Sequence, residues 1–148
     1  MSLDDYYQTC AIPKGEPRQK IRERTREVYA DFVAKIRVFV FGRERGICRC
    51  CRKRQAESMH ELESKGSGGK VSKRNSVAVC GRLVGTDYSC HTYLQQNKIG
   101  WSGGPRRAQG TLLFWPKTQR AADWLGVKLH ERIESPVMHE IAETVNEP

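Results

Sequence analysis

Cys48-Arg49-Cys50-Cys51, followed along the chain by Met59-His60-Glu61, Asn75-Ser76-Val77-Ala78-Val79-Cys80 and Cys90-His91, gathers five of the six cysteines and two of the four histidines into one region. The opening Met1-Ser2-Leu3-Asp4-Asp5 has neither the basic start nor the apolar run of a signal peptide, so a cytoplasmic, non-secreted chain with reduced thiols is expected. Reduced cysteines in groups point to metal rather than disulfides. Cys48 and Cys51 have the C-x2-C spacing of a metal knuckle, and Cys80 with Cys90, nine residues between them, forms a second pair closed around an inserted loop. Four thiolates in two pairs complete a tetrahedral Zn2+ site. Cys50 is an alternative to a neighbouring cysteine, His91 is an alternative to Cys90, and Cys10 stands unattached.

Outward from this region, the chain of 148 residues fits one ordinary domain, with enough apolar residues (38%) for a modest core. No apolar run approaches the roughly 20 residues that span a bilayer, so no membrane partner is expected. The formal charge is +9, and its distribution is lopsided. Residues 14–54 hold 14 basic and 5 acidic side chains, an excess equal to that of the entire chain. Beyond residue 130 the sign reverses, with Glu131, Glu134, Glu140, Glu143 and Glu147 opposed only by Arg132. A basic front without a strongly apolar helix face fits a nucleic-acid partner better than a membrane surface.

Residues 1–15 read as a loose arm ended by Pro13 and Gly15. Residues 16–41 predict the longest helix, with Ile21, Val28, Phe32 and Ile36 as its apolar stripe. Arg18, Lys20, Arg22, Arg24 and Arg26 crowd its early turns as candidate phosphate contacts. Val38-Phe39-Val40-Phe41 has enough β-propensity to leave the helix early. Residues 76–79 predict a short buried strand, 92–99 a short helix, 101–105 a break, 111–115 a strand, and 117–125 a helix stopped by Gly126. Trp101, Trp115 and Trp124 are read as core, and His130 and His139 as surface residues.

The order Cys48-x2-Cys51, Met59-His60-Glu61, Gly68-Gly69, Asn75, Cys80, Cys90-His91, entered through Phe41-Gly42-Arg43-Glu44-Arg45-Gly46-Ile47, resembles the zinc-containing HNH endonucleases over residues 43–99. The resemblance implies an α+β fold: a ββα-metal HNH module stapled by a structural zinc site, with an N-terminal basic helix and a small C-terminal strand-helix extension. The corresponding divisions are an arm at 1–15, the basic helix plus module at 16–100, and the extension with its acidic tail at 101–148. His60 would be the general base that deprotonates water, and Asn75 would orient His60 or its hairpin. His91 would hold a divalent ion, Mg2+, Mn2+ or Ni2+, at the scissile phosphate. Without the resemblance, His60 reads as a hydrogen-bonded structural histidine and Asn75 as a turn or cap.

Two positions depart from the family pattern. Met59 stands where many members carry an Asp or His ligand, and a thioether is a poor partner for Mg2+. Gln95 stands where many carry a second helix histidine. Glu57 and Glu61 are the nearest carboxylates, so the candidate ligands of the catalytic ion are His91, Gln95, Glu57 and Glu61. The implied partner is DNA, with a phage terminase as a possible companion and a phage or bacterial source. Two other functions stay open: a zinc-stabilised DNA-binding module without catalysis, and a protein adaptor using the acidic tail and residues 115–125.

Overall fold

A computed structural model describes residues 18–82 and 88–138, with side chains of the first helix from residue 22 onward. The expected arm with Cys10, the side chains of Arg18, Lys20 and Ile21, and His139 with the end of the acidic tail lie outside the described residues. The chain divides into two compact units, 1–38 and 39–148.

The first helix, α1 (Arg18–Arg43), continues through Val38-Phe39-Val40-Phe41, although the β-propensity of that run favours an earlier end. Helical spacing there puts Ile36 and Val40 on one side, both buried, and leaves Val38 on the other at 74% exposure. Residues at i and i+4 share a helix face, and here that burial outweighs propensity. Val28 and Phe32 are half-buried, as the stripe predicts.

In the second unit, β1 (Ser58–Glu61) pairs antiparallel with β2 (Ser76–Val79), setting His60 opposite Val77. All four β2 residues are buried. The loop between the strands contains a 3-10 turn, and Gly69 there admits no side chain because a Cβ would collide with the Glu63 carbonyl. Next comes α2 (Cys90–Gln95), whose N-cap Ser89 accepts from the Thr92 amide. It begins two residues before the expected start and ends at Gln95 rather than 99. Ile99 instead opens β3 (Ile99–Gly103).

That strand corrects the expected break at Trp101. Gly100 and Gly103 are there because the Trp115 ring and Leu112 lie against their backbone, not because the chain turns. A three-stranded antiparallel sheet follows, β3 with β4 (Leu112–Pro116) and β4 with β5 (Ile133–Ser135). Between β4 and β5, α3 (Gln119–Leu125) is capped by Thr118 and closed by Gly126 at φ 69°. The residues after 100 therefore build a sheet and helix whose Phe114, Leu112, Ala121 and Leu125 join Val77, Val79 and the cysteines in one core. Trp101 and Trp124 pack against that core while remaining partly exposed. The architecture is mixed α+β with two small antiparallel sheets.

Arg49, inside the C-x2-C segment, fastens the C-terminal sheet to the cysteines. Its side chain is 1% exposed and pairs with Glu44 at 2.8 Å. It also donates to the carbonyls of Ala108, Gly110 and Ser135 and to Ser135 Oγ. Burial pushes its pKa below the usual arginine value, opposed by the adjacent Glu44 carboxylate. Replacing Arg49 with Met leaves Glu44 with Arg43 and takes the donor from the carbonyls of Ala108, Gly110 and Ser135, and is expected to cost about 3–5 kcal/mol. Urea unfolding of the zinc-loaded variant against wild type is the check.

Candidate metal centre

The segment around Cys48 folds back on itself as a tight reversal. The Cys48 amide donates to the Arg54 carbonyl at 2.8 Å, the Arg52 amide donates to the Cys48 carbonyl at 2.9 Å, and Ile47 bridges Gln55. Arg52 sits in the left-handed region at φ 56°, a conformation that costs a non-glycine residue energy. Its guanidinium offsets that cost by donating to Ser135 Oγ and to the Pro136 carbonyl. The Arg49 amide donates to the Ala78 carbonyl of β2, which lays the reversal beside the strand that leads into Cys80. The His91 amide in turn donates to the Cys80 carbonyl at 3.2 Å, setting the start of α2 against the same point.

These ties bring the sulfurs of Cys48, Cys51, Cys80 and Cys90, all buried, within 4.8 Å of one another. Zn–S bonds of about 2.3 Å require sulfurs about 3.8 Å apart in a tetrahedron, so small side-chain movements close the cluster on one ion. Without a cation the four compete for protons. Cys51 is pushed down toward thiolate by hydrogen bonds from Cys48, Cys80 and Cys90. Cys48 is pushed up chiefly by its hydrogen bond with Cys51, and Cys90 chiefly by its bond with Cys48. Four buried sulfur donors fit a soft divalent ion such as Zn2+, which removes this conflict by replacing the shared protons. Cys50 is buried in the core but is not among the four, and Cys90, rather than His91, supplies the fourth donor. The Trp124 indole N–H donates to Cys90 Sγ at 3.3 Å.

His91 follows Cys90 directly and turns toward the hairpin. Its ring lies edge-on to that of His60, with centroids 5.2 Å apart. Burial, and secondarily the charge His91 would carry, hold His60 down at about 4, so its imidazole is neutral at pH 7. Burial lowers His91 as well. Ser58 Oγ lies 2.5 Å from His91 Nδ1 and 2.5 Å from the Gly81 carbonyl. A hydroxyl has one proton, and a carbonyl can only accept, so Ser58 gives its proton to Gly81 and accepts from His91 Nδ1–H. This assigns the tautomer with the Nε2 lone pair unprotonated. No feature of the sequence singles out Ser58.

Asn75, buried, ties the loop rather than a histidine. Its Oδ1 accepts from the Glu63 amide, and its Nδ2 donates to the carbonyls of Glu63 and Lys70. Gln95 is exposed at the end of α2, Glu61 is half-buried, and exposed Glu57 lies 3.7 Å from Arg82. Among the described residues, the four cysteines are the only group of three or more His, Cys, Asp and Glu side chains placed to share an ion.

Cys80→Ala is expected to remove zinc and unfold the hairpin and α2 together, read as metal stoichiometry by atomic emission and as lost helical and tertiary circular dichroism. Asn75→Ala should keep zinc but lose about 1–3 kcal/mol in urea unfolding, since the Glu63 amide loses its acceptor in a part-buried site. Compared with protein-family profiles, with curated proteins and with solved structures, the chain has no match, so its functional reading rests on its own residues.

Proposed function

We propose that this chain is a zinc-stabilised DNA-binding module whose β1–β2 hairpin and α2 form an HNH-type centre for metal-dependent phosphodiester hydrolysis. The binding part needs only the thiolate cluster and the basic charge. The catalytic part is supported by one observation above the rest: neutral His60 and His91, on adjoining elements, face one another, with the His91 tautomer leaving Nε2 available.

In this reading the thiolates of Cys48, Cys51, Cys80 and Cys90 hold structural Zn2+. A second divalent ion, Mg2+, Mn2+ or Ni2+, would be held by His91, with Gln95, Glu57 or Glu61 as candidate oxygen donors. Bound there, it would neutralise charge developing on the phosphate and on the leaving oxygen. His60 accepts a proton from the attacking water at its unprotonated ring nitrogen. Asn75 supports that role through the loop backbone following β1, and Ser58 fixes the ring of His91. The expected cytoplasmic setting and phage terminase companion belong to the same proposal. Among the described residues no helix is long and apolar enough to cross a membrane.

The basic start of α1 supports a polyanionic partner for a separate reason. Its first turn has no acidic residue, although cations near a helix N-terminus are disfavoured by about 0.3–1 kcal/mol each. Arg18 and Lys20 belong to that first turn, where a phosphate is favoured, and Arg22, Arg24 and Arg26 continue the basic run. Arg22, Arg24 and Arg26 are exposed. Such residues provide affinity for a phosphate backbone without sequence information.

Binding without cleavage is the second reading. Met59, exposed Gln95 and the lack of a clustered carboxylate beside the histidines among the described residues favour it, and the described geometry supports this simpler reading more directly. Plasmid nicking separates the two. Wild-type protein should nick supercoiled plasmid with Mg2+, Mn2+ or Ni2+ and not with EDTA, and His60→Ala should lose at least about 100-fold in rate while keeping zinc. Ser58→Ala should lose about 10–100-fold, recovered in part by higher metal concentration. DNA binding with no nicking in any metal would select the module alone. Neutralising Arg22 and Arg26 should lower the salt dependence of duplex binding by about 0.9 for each phosphate no longer neutralised, measured by anisotropy titration across salt concentrations.

A further inference from the structure

A groove of about 480 Å³ opens beside Cys80 of the thiolate cluster, with Arg54, Glu57, Gly81, Tyr88 and Trp124 among its lining residues. That volume lies within the range of pockets for small organic groups. Two of its lining residues, Trp124 and Tyr88, belong to an aromatic row that passes through buried Tyr93. The Arg54 guanidinium stacks 3.6 Å over the Trp124 ring, Trp124 neighbours Tyr93 at 6.3 Å, and Tyr93 neighbours Tyr88 at 6.3 Å. The row ends in Tyr88, which is 59% exposed although large and aromatic. Arg120, also exposed, donates to the Tyr88 hydroxyl at 3.3 Å, and its charge lies 5.6 Å from the ring.

Two features point outward from the fold. Arg54, which lines the groove, stacks on Trp124 and carries a buried Nη1 with no hydrogen-bond partner among the described residues, so positive charge lies beneath the groove. Among the described lining residues Glu57 is the carboxylate, and it lies against Arg82 at 3.7 Å, while Arg54 and Arg120 add positive charge. An aromatic face open to solvent, flanked by arginines, is suited to a flat ring carrying an anion. Every nucleobase has such a face, and the following phosphate supplies the anion.

We infer that this groove binds one nucleotide unit of single-stranded DNA, its base stacked on Tyr88 and its phosphate held at Arg120. The inference rests on the proposal that the chain binds DNA, and adds that unpaired DNA is recognised by a groove distinct from the basic helix. A free base in this groove would leave strand separation close to the hairpin, because Ser58 joins the rim at Gly81 to His91.

Fluorescence anisotropy with a labelled oligo-dT and an abasic oligomer of equal length and charge tests it, using zinc-loaded full-length protein. Wild type should bind oligo-dT about tenfold more tightly, within the range of base stacking on an aromatic residue. Tyr88→Ala should erase that preference and Tyr88→Phe should retain it. Arg120→Gln should weaken both oligomers severalfold while keeping the preference. Equal binding of the two oligomers by wild type, or an undiminished preference in Tyr88→Ala, overturns the inference. Duplex binding measured alongside separates the two claims: if duplex is bound but the oligomers are not distinguished, only the groove fails, whereas no binding to any DNA removes the DNA-binding proposal as well. Zinc stoichiometry of each variant verifies that it is folded.

Discussion

Four sulfurs cannot share a buried space of this size as thiolates unless a cation joins them, and the rest of the second unit is arranged around that requirement. The sulfurs come from three structural parts: two from the reversal at 48–51, one from the residue that follows β2, and one from the first position of α2. An ion held by all four thus fixes the reversal, hairpin and helix to one another. The hydrophobic contribution is modest by comparison, since β1 and β2 have four residues each and α2 has six. Elements this short are marginal alone. Their persistence here follows from a core that includes the cysteines themselves, and an ion held by the four sulfurs would add to it.

The second organising interaction is that of Arg49, on the same C-x2-C segment. A guanidinium has five donors, and this one directs them to Glu44 and to backbone and hydroxyl acceptors 59 to 86 residues away. The reversal therefore faces two ways. Its thiolates address the hairpin and α2, and its arginine addresses β5 and the segment before β4. Arg52 adds to the second direction while occupying a left-handed turn position that glycine would fill more easily.

The cysteine cluster is legible in the sequence because its signal is local: a C-x2-C spacing, and a second pair flanking a loop. β2 is legible from Ser76-Val77-Ala78-Val79, and α3 from Pro116 before it and Gly126 after it. β1 is not legible from its own residues, since Ser58-Met59-His60-Glu61 has no β-pattern and becomes a strand only through pairing with β2. β3 is hidden because its glycines look like punctuation, when their purpose is close approach by residues several positions later in the chain. Ser58, Arg49 and Tyr88 are invisible for a related reason. Each takes its role from partners distant in sequence, and a single serine, arginine or tyrosine carries no spacing to read. The histidine and asparagine roles come only through resemblance, and Asn75 illustrates the difference: its side chain addresses loop carbonyls and an amide rather than an imidazole.

The indole of Trp124 donates its N–H to Cys90 Sγ while its face carries the Arg54 guanidinium. Sulfur bound to zinc and sulfur bound to hydrogen differ in charge and in their ability to quench an excited indole. The molecule therefore contains its own optical gauge of metallation: of its three tryptophans, Trp124 touches a candidate ligand sulfur, and its share of the emission would change when an ion replaces the proton there.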